Sequence, residues 1–156
     1  MQERHFWYLG RHRFLLGALD RHLSSGPLPW ATVDLGGGVG GWLRYLADRR
    51  PGRFQPLALA DSSRVALRMA GGVLPVGVQR YQVDLMNLGW RECWDVAFLL
   101  DVIEHLPDDL RALQEARHAL KPGGLLFVTT PALPRVFILR LWEHKSVMRF
   151  LSRQEA

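Results

Sequence analysis

The stretch VDLGGGVGGW, residues 33–42, decides the fold of this chain. A short apolar run ends at Leu35, five glycines follow within residues 36–41, and an apolar segment of helical spacing begins directly after them. Glycines between a strand and a helix let the backbone come close to a ligand, because no Cβ intervenes and left-handed torsions cost little. We therefore expect a ligand-binding turn between the first strand and its helix.

Apolar β-like runs alternate with segments of helical spacing along the whole chain. We predict strands at 31–35 and in PLALA, VQRYQV, DVAFLL and LLFVTT, with helices before and between them. This alternation is typical of a parallel sheet with right-handed crossover helices on both faces. At 156 residues the chain has the size of one domain, so we expect a single α/β domain over residues 1–156.

Composition excludes several classes of function. The longest apolar runs are too short to span a membrane, and the charged, aromatic N-terminus lacks the features of a secretory leader, so we expect a cytoplasmic protein. The net charge of +5 comes from scattered arginines, which does not favour a nucleic-acid face. Cys93 is the only cysteine and has no neighbours for a zinc site, so we predict no metal.

The glycine spacing by itself admits two kinds of cofactor. A phosphate-binding P-loop requires a lysine and a hydroxyl residue after the glycines, and Trp42 follows them here. Gly36, Gly38 and Gly41 satisfy the G-x-G-x-x-G pattern of dinucleotide-binding folds. The spacing D-x-G-x-G-x-G over residues 34–40 is satisfied as well, so the glycines do not decide between them.

Four aspartates favour a cofactor that carries positive charge. They fall at or just beyond the carboxyl ends of four predicted strands, where open α/β sheets bind ligands: Asp34, Asp61, Asp84 and Asp101. Several carboxylates would repel a pyrophosphate, whereas they stabilise an ammonium or a sulfonium. In the alternative, some of them only cap the helices that follow, as Asp61 could before SSRVAL.

Five motifs carry a resemblance to a known family. VDLGGGVGGW, ALADSS, QVDL, LLDVIEHLPDD and ALKPGGLLFVTTP resemble, in order, the motifs of class I S-adenosylmethionine-dependent methyltransferases over roughly residues 3–131. The resemblance implies a Rossmann-like, three-layer, doubly wound fold with a mostly parallel sheet in the order 3-2-1-4-5. It also implies S-adenosyl-L-methionine as cofactor, S-adenosyl-L-homocysteine as product, and methyl transfer to a small-molecule acceptor.

The resemblance also assigns roles to residues. The glycine loop would pass under the methionine part with Asp34 behind it, and the backbone near residues 100–101 would accept from its ammonium. Asp61 would hold the ribose hydroxyls, and Asp84 would meet the adenine edge. The complete implied set is Asp34, Gly36, Gly37, Gly38, Gly40, Asp61, Ser62, Asp84, Leu85, Leu100 and Asp101.

A base is optional in this chemistry, because in-line transfer from an activated carbon depends mostly on alignment. His105 lies just past the fourth predicted strand and would be the natural proton acceptor near neutral pH. An equally simple interpretation is that the segment IEH only turns the chain into the next helix.

The pattern departs from the family after strand five. Family members continue through another helix and an antiparallel strand pair, which we expect to be missing here, with the segment after Pro131 forming one or two helical turns. Strand five would then be an edge and could pair in a homodimer. Two other functions stay open at this point: a nicotinamide-dependent oxidoreductase, and a truncated, non-catalytic cofactor-binding module.

Overall fold

The structure, a computed structural model, describes the backbone of residues 2–23, 28–130, 133–142 and 145–151. Side chains are described for residues 10–23 and 28–130 and for Ile138.

One seven-stranded sheet in the order β3-β2-β1-β4-β5-β6-β7 organises the molecule. Its first five strands are parallel and the last two run antiparallel to their neighbours. The strands are β1 (Thr32–Leu35), β2 (Leu57–Asp61), β3 (Gln79–Gln82), β4 (Trp94–Leu100), β5 (Leu120–Thr130), β6 (Leu133–Trp142) and β7 (Lys145–Leu151). The helices are α1 (Gln2–His22), α2 (Gly41–Arg49), α3 (Arg64–Ala70) and α4 (Asp109–Ala119), with a 3-10 turn at Ile103–His105.

The two faces of the sheet form separate hydrophobic cores. In β4, Val96 and Phe98 pack with apolar residues of α1, α2 and α3, whereas Ala97 and Leu99 pack with alanines of α4. Strands that are buried on both faces read as continuous apolar runs, which is why DVAFLL was recognisable from the sequence. The predicted three-layer α/β fold with strand order 3-2-1-4-5 is confirmed.

The prediction for the chain after strand five is wrong. Residues 133–142 and 145–151 form two strands rather than helical turns, so the last strands of the sheet are not missing. β6 pairs with β5 along its length, for example Leu126 with Leu139. An exposed strand edge offers unpaired N–H and C=O groups, and the next segment of the chain satisfies them here. The homodimer prediction thereby loses its premise, because β5 is not an edge.

Among the described residues, no helix has both the length and the apolar character that crossing a bilayer requires.

Candidate functional site

The glycine loop turns the chain sharply between β1 and α2. Gly36, Gly38 and Gly40 have φ angles of +75°, +58° and +82°, a region that side chains with a Cβ rarely adopt. The Gly40 N–H donates to the Gly37 carbonyl at 3.0 Å, which closes the turn before α2 begins at Gly41. The predicted strand–turn–helix is therefore present, and its conformation explains three of the glycines.

The inner side of this loop is tightly packed, and one position faces open space. A Cβ on Gly37 would lie 2.3 Å from Asp34 Oδ2, and one on Gly36 would lie 2.8 Å from the Val102 methyl carbons. A Cβ on Gly38 would meet none of the described residues within 4 Å. The loop thus rests directly on the sheet edge beneath it and leaves Gly38 accessible to a ligand.

Asp34 is the carboxylic acid beneath the loop. Asp34 is 1% exposed, and its Oδ1 atom has no hydrogen-bond partner among the described residues. Burial raises the pKa of Asp34 to about 7, the nearby charge of Arg11 opposes that rise, and Asp61 adds to it. A buried polar atom without a partner costs free energy, so this oxygen is a candidate to receive a ligand group.

Asp61 joins the glycine loop to the start of α3. Its Oδ2 accepts from the Gly38 N–H at 2.9 Å and its Oδ1 accepts from the Ser63 N–H at 2.7 Å. The cap of α3 is Ser63, whose hydroxyl accepts from the Ala66 N–H at 3.2 Å. Asp61 is therefore not the helix cap, which sequence reasoning could not distinguish because two serines follow it. Ser62 lies beside it and is exposed.

Asp101 follows Leu100 at the end of β4 and has a left-handed backbone, with φ +55°. Its N–H donates to the carbonyl and the hydroxyl oxygen of Thr129, at 3.0 and 3.1 Å, and the Thr129 hydroxyl donates back to Asp101 Oδ1 at 2.7 Å. The Arg11 guanidinium forms an ion pair with Asp101 Oδ2. Sequence reasoning missed both residues, since Arg11 lies outside the five motifs and nothing in ALKPGGLLFVTTP distinguishes Thr129 as a partner of Asp101.

The N-terminal helix brings Arg11 to this edge. Next to Arg11, the His12 ring lies 5.3 Å from the Trp42 ring and 5.1 Å from the Tyr45 ring, so α1 is packed on α2. Burial, and to a smaller extent Arg11, lower the pKa of His12 to about 4, which keeps this histidine neutral at neutral pH. Arg11 thus places a positive charge among the aspartates at this edge of the sheet.

The remaining predicted residues have different environments. Asp84 is exposed, and its Oδ1 accepts from the Met86 N–H at 2.9 Å, whereas Leu85 is buried in the core that faces α4. His105 lies in the 3-10 turn with its side chain 77% exposed and its Nε2 3.9 Å from Glu104 Oε1.

Comparison with known proteins identifies the family. Residues 7–153 match the profile of a family described as "Methyltransferase domain". The chain belongs to this methyltransferase domain family. It is 28% identical to a ubiquinone biosynthesis O-methyltransferase of Cereibacter sphaeroides, covering 86% of this chain and 56% of that one. It is 35% identical to a trans-aconitate 2-methyltransferase of Deinococcus radiodurans, covering 67% of this chain and 39% of that one.

A solved structure agrees with this assignment. The chain resembles a SAM-dependent methyltransferase of Thermotoga maritima with a TM-score of 0.55 and 28% identity, over 81% of this chain and 56% of that one. The chain spans about half the length of the curated methyltransferases it matches. The predicted resemblance to class I methyltransferases is confirmed at the level of family and fold.

The residues of the sheet edge fit S-adenosylmethionine, the cofactor that family and neighbours support. This cofactor carries an ammonium and a sulfonium. The edge offers Asp34, which has a buried oxygen without a partner among the residues that the structure describes, together with Asp61 and Asp101. The methionine carboxylate has a complement in Arg11, which lies at the same edge. The roles of the individual residues remain predictions.

Proposed function

We propose that this domain transfers a methyl group from S-adenosylmethionine to a small-molecule acceptor. The observation that carries the proposal is the buried Oδ1 of Asp34, which has no hydrogen-bond partner in the described part of the chain and lies beneath a glycine loop that this part leaves open at Gly38. A polar group that is buried without a partner is expected to be satisfied by a ligand. In a chain of the methyltransferase domain family, the ligand with a cationic end is the methyl donor.

Asp61 is the proposed ribose ligand. A carboxylate has about four lone-pair positions, and two are used by the N–H groups of Gly38 and Ser63. The two that remain can accept from two neighbouring hydroxyls. The backbone bonds fix the orientation of the carboxylate in advance, so little side-chain entropy is lost when the ribose binds.

The methionine end is a zwitterion and faces groups of both signs. The glycine loop at residues 36–40 lies below it, Asp34 accepts toward the ammonium, and the backbone at Leu100 and Asp101 contributes carbonyl oxygens. Because Arg11 is paired with Asp101, the two together offer a cation and an anion side by side. We propose that this pair opens toward the carboxylate and the ammonium of the cofactor.

The adenine end lies beyond β2 and β3. Asp84 is the proposed acceptor for the adenine amino group, Leu85 is the proposed apolar contact, and Ser62 lies beside the ring. Leu85 is buried in the core that faces α4, so its backbone and the rim of its side chain are the parts that a ring could touch.

S-adenosylmethionine supplies a methyl carbon that the sulfonium already activates. The chain therefore has to align the acceptor and exclude water, and alignment of this kind accounts for much of the rate. For an acceptor that loses a proton, we propose His105 as the group that takes it. Its exposed imidazole can pass the proton to water.

We propose a small molecule as the acceptor, because the matched methyltransferases are named for ubiquinone biosynthesis and trans-aconitate. The two names differ in chemistry, so they support the size class of the acceptor rather than its identity.

Calorimetric titration with S-adenosylhomocysteine, and separately with NAD, tests the cofactor. We expect saturable binding of S-adenosylhomocysteine only. Trp42 directly follows the glycine loop, so its fluorescence should report the same binding curve. The centroid of its ring lies 5.2 Å from that of Phe98. A folded protein that binds neither ligand at millimolar concentration would contradict the proposal, and preference for NAD would replace it with an oxidoreductase.

Transfer of radioactive methyl groups from labelled S-adenosylmethionine to a panel of phenols, carboxylic acids and amines tests turnover. Binding without transfer to any acceptor would favour the non-catalytic module.

A further inference from the structure

The segment that follows β3 lies along α4 and carries Asp84 at its beginning. At its far end the segment is held by the backbone, since the Glu92 and Cys93 N–H groups donate to the carbonyls of His118 and Ala119, both at 2.9 Å. The near end, next to Asp84, is held to α4 by side chains instead. Its conformation therefore depends on particular residues of α4.

Glu115 is the centre of this attachment. Its side chain is 3% exposed, and its Oε2 accepts from the Gly89 N–H at 3.2 Å. Arg111 Nη2 lies 3.3 Å from Glu115 Oε1, and Arg91 Nη1 lies 3.8 Å from Glu115 Oε2. The Gly89 hydrogen bond, followed by the two arginines and His118, lowers the pKa of Glu115 against the opposing effect of burial. The carboxylate is therefore charged at neutral pH.

Arg111 continues the connection to Asp84. Its Nε donates to the Met86 carbonyl at 3.1 Å, while the Met86 N–H donates to Asp84 Oδ1 at 2.9 Å. A chain of four groups thus runs from the buried Glu115 through Arg111 and Met86 to the Asp84 carboxylate. Movement of Arg111 would shift Met86, whose carbonyl accepts from Arg111 and whose N–H orients the Asp84 carboxylate.

Packing of α4 does not require a carboxylate at this position. The helix already buries Ala112, Ala116 and Ala119 against the sheet. Burying a carboxylate costs desolvation, and apolar residues of similar volume often stabilise a fold as well or better. The Glu115 carboxylate instead fixes the positions of particular groups. It accepts from the Gly89 N–H and orients Arg111, which donates to the Met86 carbonyl.

We propose that Glu115, acting through Arg111, is a positioning residue that holds Asp84 in place for the adenine end of the cofactor. The proposal rests on the proposed function, since it needs an adenine to be bound there. Glu115 touches no part of the cofactor and acts only through the segment that it holds.

The choice of base provides a readout that a general loss of stability would not move. A carboxylate at Asp84 accepts from the amino group of adenine, whereas hypoxanthine has a carbonyl oxygen there and would be repelled. The wild-type protein should therefore bind S-adenosylhomocysteine more tightly than S-inosylhomocysteine. Asp84→Ala should reduce that preference.

Glu115→Gln keeps the shape and removes the charge. We expect it to weaken S-adenosylhomocysteine about tenfold, in the range of couplings within one hydrogen-bond network, and to reduce the preference for adenine as Asp84→Ala does. Arg111→Ala, at a half-exposed side chain, tests the same connection with little risk to the fold. Asp20→Asn is the matched control, because it breaks an ion-pair cluster at the opposite edge of the sheet and should change neither affinity nor preference.

The double variant Asp84→Ala/Glu115→Gln decides whether the two residues act together. We expect its preference for adenine to equal that of Asp84→Ala alone. Equal weakening of both ligands by Glu115→Gln, or additive loss of preference in the double variant, would overturn the positioning role. Failure of the wild-type protein to bind either ligand would instead contradict the proposed function.

Discussion

Carboxylates at the amino edge of the parallel sheet, where its strands begin, differ from Asp34 and Asp61 at the carboxyl edge, where its strands end. At the amino edge, Asp20 is paired with Arg50 and Arg53, and Asp95 is 3.1 Å from the Lys121 ammonium. Within the described part of the chain, Asp61 at the carboxyl edge accepts only from backbone N–H groups, and Asp34 has an oxygen without a partner. The carboxylates at the amino edge are paired with cations of the protein itself, whereas Asp34 and Asp61 can still accept hydrogen bonds from a ligand.

The presence of a cavity does not by itself identify the candidate site. A cavity of about 520 Å³ opens at the amino edge, between the end of α2 and the segments that precede β2 and β3. Its charged lining residues, Asp48 and Arg50, are already paired with Arg44 and Asp20. The candidate site differs from this cavity because its carboxylates, Asp34 and Asp61, can still accept hydrogen bonds.

Gly37→Ala should produce the largest difference between the edges. Its Cβ would lie 2.3 Å from Asp34 Oδ2 and 2.5 Å from a Leu59 methyl, so the loop must move off the sheet edge. We expect no saturable binding of S-adenosylhomocysteine at millimolar concentration and a stability loss of about 1–3 kcal/mol. Calorimetry together with urea unfolding measures both.

Gly41→Ala is the matched control for that variant. A Cβ on Gly41 would meet nothing within 4 Å, and the residue begins α2. It should retain affinity and fold. Equal loss of binding in both variants would mean that the close contact at Gly37 is not the reason.

Asp61→Ala should have the next largest effect. Loss of two charge-assisted hydrogen bonds to the ribose, at about 1.5–3 kcal/mol each and imperfectly additive, predicts roughly a hundredfold weaker binding of S-adenosylhomocysteine. Asp20→Ala removes a carboxylate from the amino edge and should leave affinity unchanged. Titration of both variants with S-adenosylhomocysteine compares the effect of a lost carboxylate at each edge on affinity, and a melting curve checks that each variant is folded. Unchanged affinity in Asp61→Ala would make Asp61 a purely structural link between Gly38 and Ser63.

The effect of Asp34→Asn should appear in the pH dependence of stability rather than in a measurement at one pH. The pKa of Asp34 is raised from 3.8 to about 7, so between these values the native state holds a proton that the unfolded state has lost. Stability from this group is fully present below pH 3.8 and is lost as pH rises to about 7, by at most about 1.4 kcal/mol per pH unit. The free energy of unfolding of Asp34→Asn, minus that of wild type, should therefore rise over this range and level off above it.

His12 acts in the opposite direction, so the comparison must be made between the two proteins at each pH. Its pKa is lowered from 6.5 to about 4, and its contribution to stability is lost as pH falls through that window. The substitution leaves this contribution in place, so it cancels in the difference. Urea unfolding at several pH values gives the measurement, and a difference that does not vary with pH would show that Asp34 is not titrating there. Saturating S-adenosylhomocysteine should flatten the profile, because its ammonium stabilises the charged carboxylate.

The parts of the site that could be predicted from the sequence are local in the chain. The turn at residues 36–40 follows from glycine spacing, and the positions of Asp34 and Asp61 follow from where two apolar runs end. Parallel strands place their carboxyl ends at one edge of the sheet. The positions of the two aspartates at strand ends were therefore sufficient to predict that they lie near each other. The choice between Asp61 and Ser63 as helix cap was not predictable, because it depends on an N–H group of the glycine loop.

By itself, the sequence determined the glycine turn and the acidic residues at the strand ends, because periodicity and strand ends are properties of neighbouring residues. The order of the first five strands followed only from the resemblance of its motifs to a known family. Only the tertiary structure decided the pairing of Arg11 with Asp101, 90 positions away, and the contact of Glu115 with Gly89. It also decided that residues 133–142 complete the sheet beside β5. These contacts join distant segments, and the free energy that selects them comes from burial and from unpaired backbone groups, which no short stretch of sequence contains.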